Sequence, residues 1–252
     1  MGFSNAFSTR LGGVSPMPQD ALNLAGFDDD EAENIYENRR RFLNLFEGEW
    51  SLASCWQKHS ADVRLVKNID DTRQPEKALG ETIYCDALTT RTPRILLGVK
   101  TADCVPVLLA DARTGACAAI HAGWRGTLSS IVARTLERMD AEFGVKAADV
   151  SAAIGPAARG CCYEVGHEVI EAFQEKFPDS ASLFNKTRDG HALVDLQRAN
   201  REQLIASGVS FQNIYTAPLC TMCRTDLFFS YRREKRTLGR TGRLMSVIGR
   251  MK

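Results

Sequence analysis

Ile95-Leu-Leu-Gly-Val99, Val105-Pro-Val-Leu-Leu109 and Ala116-Cys-Ala-Ala-Ile120 are three short apolar runs in close succession, the last two joined through Asp111-Ala-Arg-Thr-Gly115. Runs of this length bounded by turn chemistry read as buried strands. Downstream, Gly123-Trp-Arg-Gly126 leads to Thr127, a candidate N-cap, and then to Leu128, Ile131, Val132, Leu136, Met139 and Phe143 at helical spacing. A further strand is expected at Val150–Ile154, before Gly155-Pro156. Helices are expected over 164–177 and in a segment ending near Gly208, and the last strand over Asp226–Arg232. Upstream, Phe7–Ser15 reads as a strand entering a Gly-Gly turn, and residues 30–46 as a surface helix with Ile35, Phe42, Leu43 and Phe46 on one side. Strands mixed with amphipathic helices, some joined by tight turns, predict an α+β fold: a mixed β-sheet core covered by helices, in one domain spanning 1–252.

The composition of the 252 residues is that of an ordinary globular protein, and the formal net charge of +1 gives no global attraction to nucleic acid or anionic lipid. No apolar run approaches the roughly 20 residues of a membrane span, and the first residues lack the pattern of a secretion signal. The expected address is the cytoplasm, with no nucleic-acid or membrane partner and a monomer or weak homodimer. Eight cysteines in a chain read as cytoplasmic are taken as reduced thiols, ligands or core residues.

Of four histidines, His59 and His121 follow expected strands, while Cys104 lies in Lys100-Thr-Ala-Asp-Cys-Val105, the connection between two of them. A shared sheet edge would bring the three together. Thiolate and neutral imidazole suit zinc, and three protein ligands leave a position for water, the catalytic pattern. Asp103 is read as a carboxylate that orients a ligand imidazole or shuttles protons. Spacing alone leaves the bland alternative open, since Cys on an apolar strand and His at a strand end also occur as core and backbone-bonded residues.

Thr101-Ala-Asp-Cys-Val-Pro-Val107, His121-Ala-Gly-Trp-Arg-Gly126, Ile154-Gly-Pro156, Cys161-Cys-Tyr-Glu-Val-Gly166 and Phe228-Phe-Ser-Tyr-Arg-Arg233 together resemble the multicopper polyphenol oxidase family. This is also called the laccase-domain or purine nucleoside phosphorylase family, and includes YfiH- and YlmD-like proteins. The resemblance implies a layered α/β sandwich with metal ligands at His59, Cys104 and His121; together with Asp103, read above as a carboxylate that orients or shuttles protons, Cys104 and His121 are the expected catalytic residues. It implies zinc, with copper as the alternative. The implied substrates are purine nucleosides and inorganic phosphate: adenosine, inosine, guanosine and methylthioadenosine cleaved with phosphate, and adenosine deaminated to inosine. Two departures stand out: Trp56-Gln-Lys-His-Ser60 replaces Trp-Gln-Val-His-Gly, and Ala25-Gly-Phe-Asp28 replaces a Gly- and His-containing loop. Rival readings are a copper-dependent phenol oxidase and a Cys104–His121 thiol hydrolase of the peptidoglycan-editing kind; four histidines are too few for a trinuclear copper cluster.

Four further residues are candidate substrate contacts. Arg10 beside its Gly-Gly turn either binds an anion or forms a surface salt bridge. Arg125 either binds an anion or supports Trp124. Gln57 precedes the ligand histidine by two residues. Cys161 and Cys162, as neighbours on a strand, would point to opposite faces, one into the core and one near the cleft. Cys220 and Cys223 have zinc-knuckle spacing, but without a second Cys-x-x-Cys a structural zinc would have to borrow ligands from elsewhere. The basic stretch from Arg232 to Arg243 reads as a solvated face.

Overall fold

A computed structural model describes residues 2–17, 19–25, 27–68 and 84–252. The three apolar runs form the strands Ile95–Thr101, Val105–Asp111 and Cys117–Ala122, but they do not share one sheet. The second and third are antiparallel neighbours at the centre of a six-stranded sheet. It runs Ile214–Thr216, Val150–Ile154, Val105–Asp111, Cys117–Ala122, Ala87–Thr90, Val63–Leu65, with parallel pairing at both edges. Ile95–Thr101 lies in a four-stranded sheet between Ser51–Ser54 and Leu244–Arg250, with Phe3–Phe7 beyond the latter.

Strand alternation explains the layering. Val105, Val107 and Leu109 face helices, packing with Ile131, Val132, Leu136 and Met139 of the helix Ile131–Phe143 and with the helices His167–Lys176 and Leu196–Ala206. Leu108 and Ala119 point the other way and meet Leu97, Val99 and Ile248 of the second sheet. That sheet's outer face is closed by Phe42 of the helix Ala32–Leu43, through Leu52, Leu96 and Val247. The order is helix, sheet, sheet, helix, a mixed layered α/β sandwich as expected. Each fully buried Val, Leu, Ile, Met or Phe side chain in these layers contributes about 1.5–3 kcal/mol. A three-stranded antiparallel sheet, Glu164–Gly166, His191–Val194 and Phe184–Arg188, flanks the sandwich. Among the described residues no helix is long and apolar enough to cross a membrane.

Three local expectations are corrected. Thr127 is not an N-cap: a short helix, Trp124–Leu128, starts after Gly123, and the chain breaks at Ser130 (φ 58°) before the long helix begins at Ile131. Thr127 is instead buried, its Oγ1 accepting a 2.9 Å bond from Asn200. The helix expected over 164–177 begins at His167, because 164–166 pair as a strand. Asp226–Arg232 is not a strand. Phe228 and Phe229 turn into an apolar cluster with Met17, Ala21 and Leu244, and Ser230 caps the helix Tyr231–Leu238 by accepting from the Arg233 N–H. The last strand is Leu244–Arg250.

Candidate metal centre

Register creates the site. Pro106 lies opposite His121, so Cys104, just before the strand Val105–Asp111, emerges at the edge where Cys117–Ala122 ends. Ala87 lies opposite Ile120, and the His121 N–H donates to the Asp86 carbonyl at 2.7 Å, which seats the Asp86 side chain beside the histidine. His59 arrives on the loop after the strand Ser51–Ser54.

The ligand-capable atoms of His59, Cys104 and His121 lie within 4.8 Å of one another. His59 Nε2 is 3.9 Å from Cys104 Sγ, and the two imidazoles meet edge-on with centroids 4.9 Å apart. His121 is buried, Cys104 partly exposed and His59 exposed, so the cluster opens on one side. Gly123 is required here: a Cβ would stand 2.9 Å from His59 Cδ2 and 3.2 Å from Cys104 Sγ. The set of one thiolate and two imidazoles fits zinc or copper, and the open side fits a catalytic rather than a closed centre.

Asp86, fully buried, organises the cluster. Its carboxylate accepts from His121 Nδ1 at 2.8 Å, from the backbone N–H groups of His59 and Ser60 at 3.0 and 2.7 Å, and from the Ser60 hydroxyl at 2.8 Å. The Nδ1–H bond leaves His121 Nε2 for the metal. Burial pushes the Asp86 carboxyl up, but these donors outweigh it and hold it at about 2. The Cys104 thiol behaves likewise: burial raises it, and the adjacent His121 and His59 bring it down to about 6. Burial pushes His121 down, while the Cys104 thiolate and Asp86 raise it to about 9. The two shifts run in opposite directions and both favour a thiolate–imidazolium pair when no metal is bound.

Asp103, expected to orient a ligand or carry protons, is taken up otherwise. It accepts from the Thr221 hydroxyl (2.7 Å), the Ser230 hydroxyl (3.0 Å) and the Arg232 N–H (2.7 Å), fastening the segment that follows Phe229 to the metal loop. Burial outweighs these bonds and raises its carboxyl. The left-handed backbone at both His59 (φ 62°) and Asp103 (φ 91°) marks strain concentrated at the cluster.

The cluster floors a cleft of about 550 Å³, within the range of small-molecule sites. Trp56 and Tyr231, roughly half exposed, and Trp124 and Tyr163 supply aromatic surface, while Lys100, Arg125, Arg232 and Arg243 supply positive charge. Phe27 and Asp28 of the divergent loop line it too. Arg125 stacks on Trp124, its Cζ 4.2 Å from the ring centre, and both side chains line the cleft. Gln57 reaches the cleft, but both ends of its amide bond the Lys100 backbone at 2.7 Å, bracing the strand.

Arg10 does not join this cleft. It is buried, bonds the carbonyls of Met17 and Thr225, and pairs with Glu234 at 2.5 Å, so the ion pair is an interior one rather than the surface salt bridge expected, and the guanidinium is spent on it rather than on an anion. Cys161 does not line it either: Cys161 and Cys162 occupy a turn, not a strand, and both approach Cys223. Asp86 was missed by sequence reasoning because one acidic residue among 31 acquires meaning only through its register beside His121.

The sequence profile described as multi-copper polyphenol oxidoreductase laccase matches residues 4–251. The chain belongs to this family. A purine nucleoside phosphorylase from Bacteroides thetaiotaomicron is 38% identical over 248 residues, covering 97% of this chain and 90% of the relative. Adenosine deaminase RL5, from an unknown prokaryotic organism, is 36% identical over 242 residues, covering 94% of this chain and 91% of the relative. The crystal structure of YlmD from Geobacillus stearothermophilus superposes with TM-score 0.91 at 32% identity, covering 100% of this chain and 93% of that one. The laccase family thus holds relatives named for two reactions of purine nucleosides.

Proposed function

We propose that the chain is a zinc-dependent purine nucleoside enzyme, cleaving adenosine, inosine, guanosine and methylthioadenosine with phosphate and deaminating adenosine, at the cleft above His59, Cys104 and His121. The observation that carries this reading is the coincidence, in one cleft, of aromatic surface for a base, four cations for phosphate and ribose oxygens, and a Cys/His₂ cluster at the floor. The relatives' names, phosphorylase and deaminase, support the same substrate class.

A zinc ion held by the three ligands would supply Lewis acidity at the base. The chain's own residues do the remaining work. Trp56 and Tyr231 offer stacking surface that orients the purine, and the guanidinium groups of Arg125, Arg232 and Arg243 with Lys100 draw phosphate to the ribose side. Asp86 holds the His121 tautomer, and Asp103 holds the Ser230–Arg232 segment so that Tyr231 and Arg232 face the cleft. Deamination would draw on the Lewis acidity supplied at the floor held by His59, Cys104 and His121, whereas phosphorolysis would rest on positioning by the cations.

The test is chromatography after incubating purified protein with adenosine or inosine, with and without phosphate, alongside metal analysis. Hypoxanthine and ribose 1-phosphate from inosine only when phosphate is present, inosine from adenosine without it, and loss of both with Cys104→Ala support the reading. Untouched nucleosides together with phenol oxidation on copper loading would replace it by the oxidase reading.

A further inference from the structure

Away from the cleft, the sulfur atoms of Cys161, Cys162, Cys220 and Cys223 all lie within 4.8 Å of one another. Cys223 Sγ is 3.1 Å from Cys162 Sγ and 3.7 Å from Cys161 Sγ, and all four are free thiols. Four thiolates at about 2.3 Å from a tetrahedral ion stand about 3.8 Å apart, so the cluster needs only small adjustments to enclose one. The two adjacent cysteines can share an ion because 160–162 form a turn, which removes the strand alternation that would send their side chains apart.

The surrounding backbone is built to hold the cluster. The Ala157 N–H donates to the Leu219 carbonyl at 3.3 Å, the Thr221 N–H to the Ala157 carbonyl at 3.1 Å, and Arg159 Nη1 to the Pro218 carbonyl at 3.3 Å. Cys220 is 5% exposed, which shields one side of the cluster from solvent. An all-sulfur donor set selects a soft or borderline ion over magnesium or calcium, and four protein ligands leave no open position.

We propose that Cys161, Cys162, Cys220 and Cys223 bind one structural zinc ion that clamps the 157–163 segment to the 217–224 turn. Each thiol gives its proton to solvent as its sulfur bonds the metal, leaving a four-thiolate centre of net charge 2−. The clamp bears on the cleft from two directions: Tyr163, next to Cys162, lines it, and Thr221, next to Cys220, donates to Asp103 at 2.7 Å. The site is independent of which reaction the cleft performs.

The test measures zinc per chain in protein purified under reducing conditions. Cys104→Ser, which disables the cleft centre, is expected to retain about one zinc, released to a chromogenic chelator when an organomercurial titrates the remaining thiols. The same variant loaded with cobalt should show intense sulfur-to-metal charge transfer in the near ultraviolet. Cys223→Ser in the otherwise natural chain should lose about one zinc while keeping the other. If Cys104→Ser carries no zinc, or Cys223→Ser carries as much as the natural chain, the proposal is wrong. Because Cys223→Ser can unfold, the mercurial release from Cys104→Ser protein decides the matter alone. Peptide mass analysis without reductant supplies a further check: a disulfide among the four cysteines in the freshly purified protein overturns the zinc site.

Discussion

At the scale of single residues, the Asp86 carboxylate organises the Cys/His cluster while standing outside its three ligand-capable residues. Replacing Asp86 with Asn keeps the volume but loses the charge that steadies His121, and is expected to weaken zinc binding about 10- to 100-fold, read by chelator competition. Protons make a second prediction. Cys104, at about 6, loses its stabilising contribution as pH falls through that value, and His121, at about 9, loses its own as pH rises through that one. Between their ordinary values, 6.5 for His121 and 9.0 for Cys104, the unfolded pair also holds one proton, on the thiol instead of the imidazole. Chemical denaturation of chelator-treated protein should therefore show little pH dependence from this pair between about 6.5 and 9. Zinc affinity should show it plainly. One proton must leave His121 across that window, so the pair makes affinity rise about tenfold per pH unit and level off above pH 9. Arg10 gives the contrasting case. Arg10→Met strands Glu234 in the interior and should cost about 3–5 kcal/mol in denaturant melts, with KM for the nucleoside little changed. His59, Cys104 and His121 were legible as a candidate metal-binding set only through the motifs around them, since Cys and His at such separations match no compact zinc pattern. Asp86 and the Arg10–Glu234 pair depended on contacts between segments that no local pattern encodes.

At the scale of elements, the segment Phe228–Arg233 shows how alternating bulk and polarity mislead. Two aromatic residues followed by Ser-Tyr-Arg satisfy a strand template, yet Ser230 has cap chemistry, and its backbone N–H finds Glu234 Oε2 at 3.3 Å one turn later. The Ser230 hydroxyl also donates to Asp103. Ser230→Ala should therefore cost about 1–2 kcal/mol of stability and raise KM more than it lowers kcat, because Tyr231 and Arg232 lose their anchor. The Ser130 break is a second element-level device. A non-glycine residue at φ 58° carries a steric cost, so Ser130→Gly should be neutral or stabilise by up to about 1 kcal/mol in thermal melts. The central strands were readable because both of their faces are covered, which makes them continuous apolar runs. The expected strand at Asp226–Arg232 stood in for Leu244–Arg250, whose apolar stretch Leu244-Met-Ser-Val-Ile248 is the better strand pattern.

At the scale of the whole molecule, the two sheets share one apolar layer, and Leu108, 1% exposed, sits within it. Leu108→Ala should cost about 2–5 kcal/mol, and the loss should reach the cleft because the same strand begins beside Cys104. Fold class was legible from patterning, but the split into two sheets was not: adjacency along the chain suggested one sheet, whereas Ile95–Thr101 pairs with the distant Leu244–Arg250. That pairing also sets an order in time. His59, Asp86, Cys104 and His121 are all synthesised well before the strand Leu244–Arg250, which lies between Phe3–Phe7 and Ile95–Thr101. On the ribosome, the four-stranded sheet must wait with its inner position open until Leu244–Arg250 has been made.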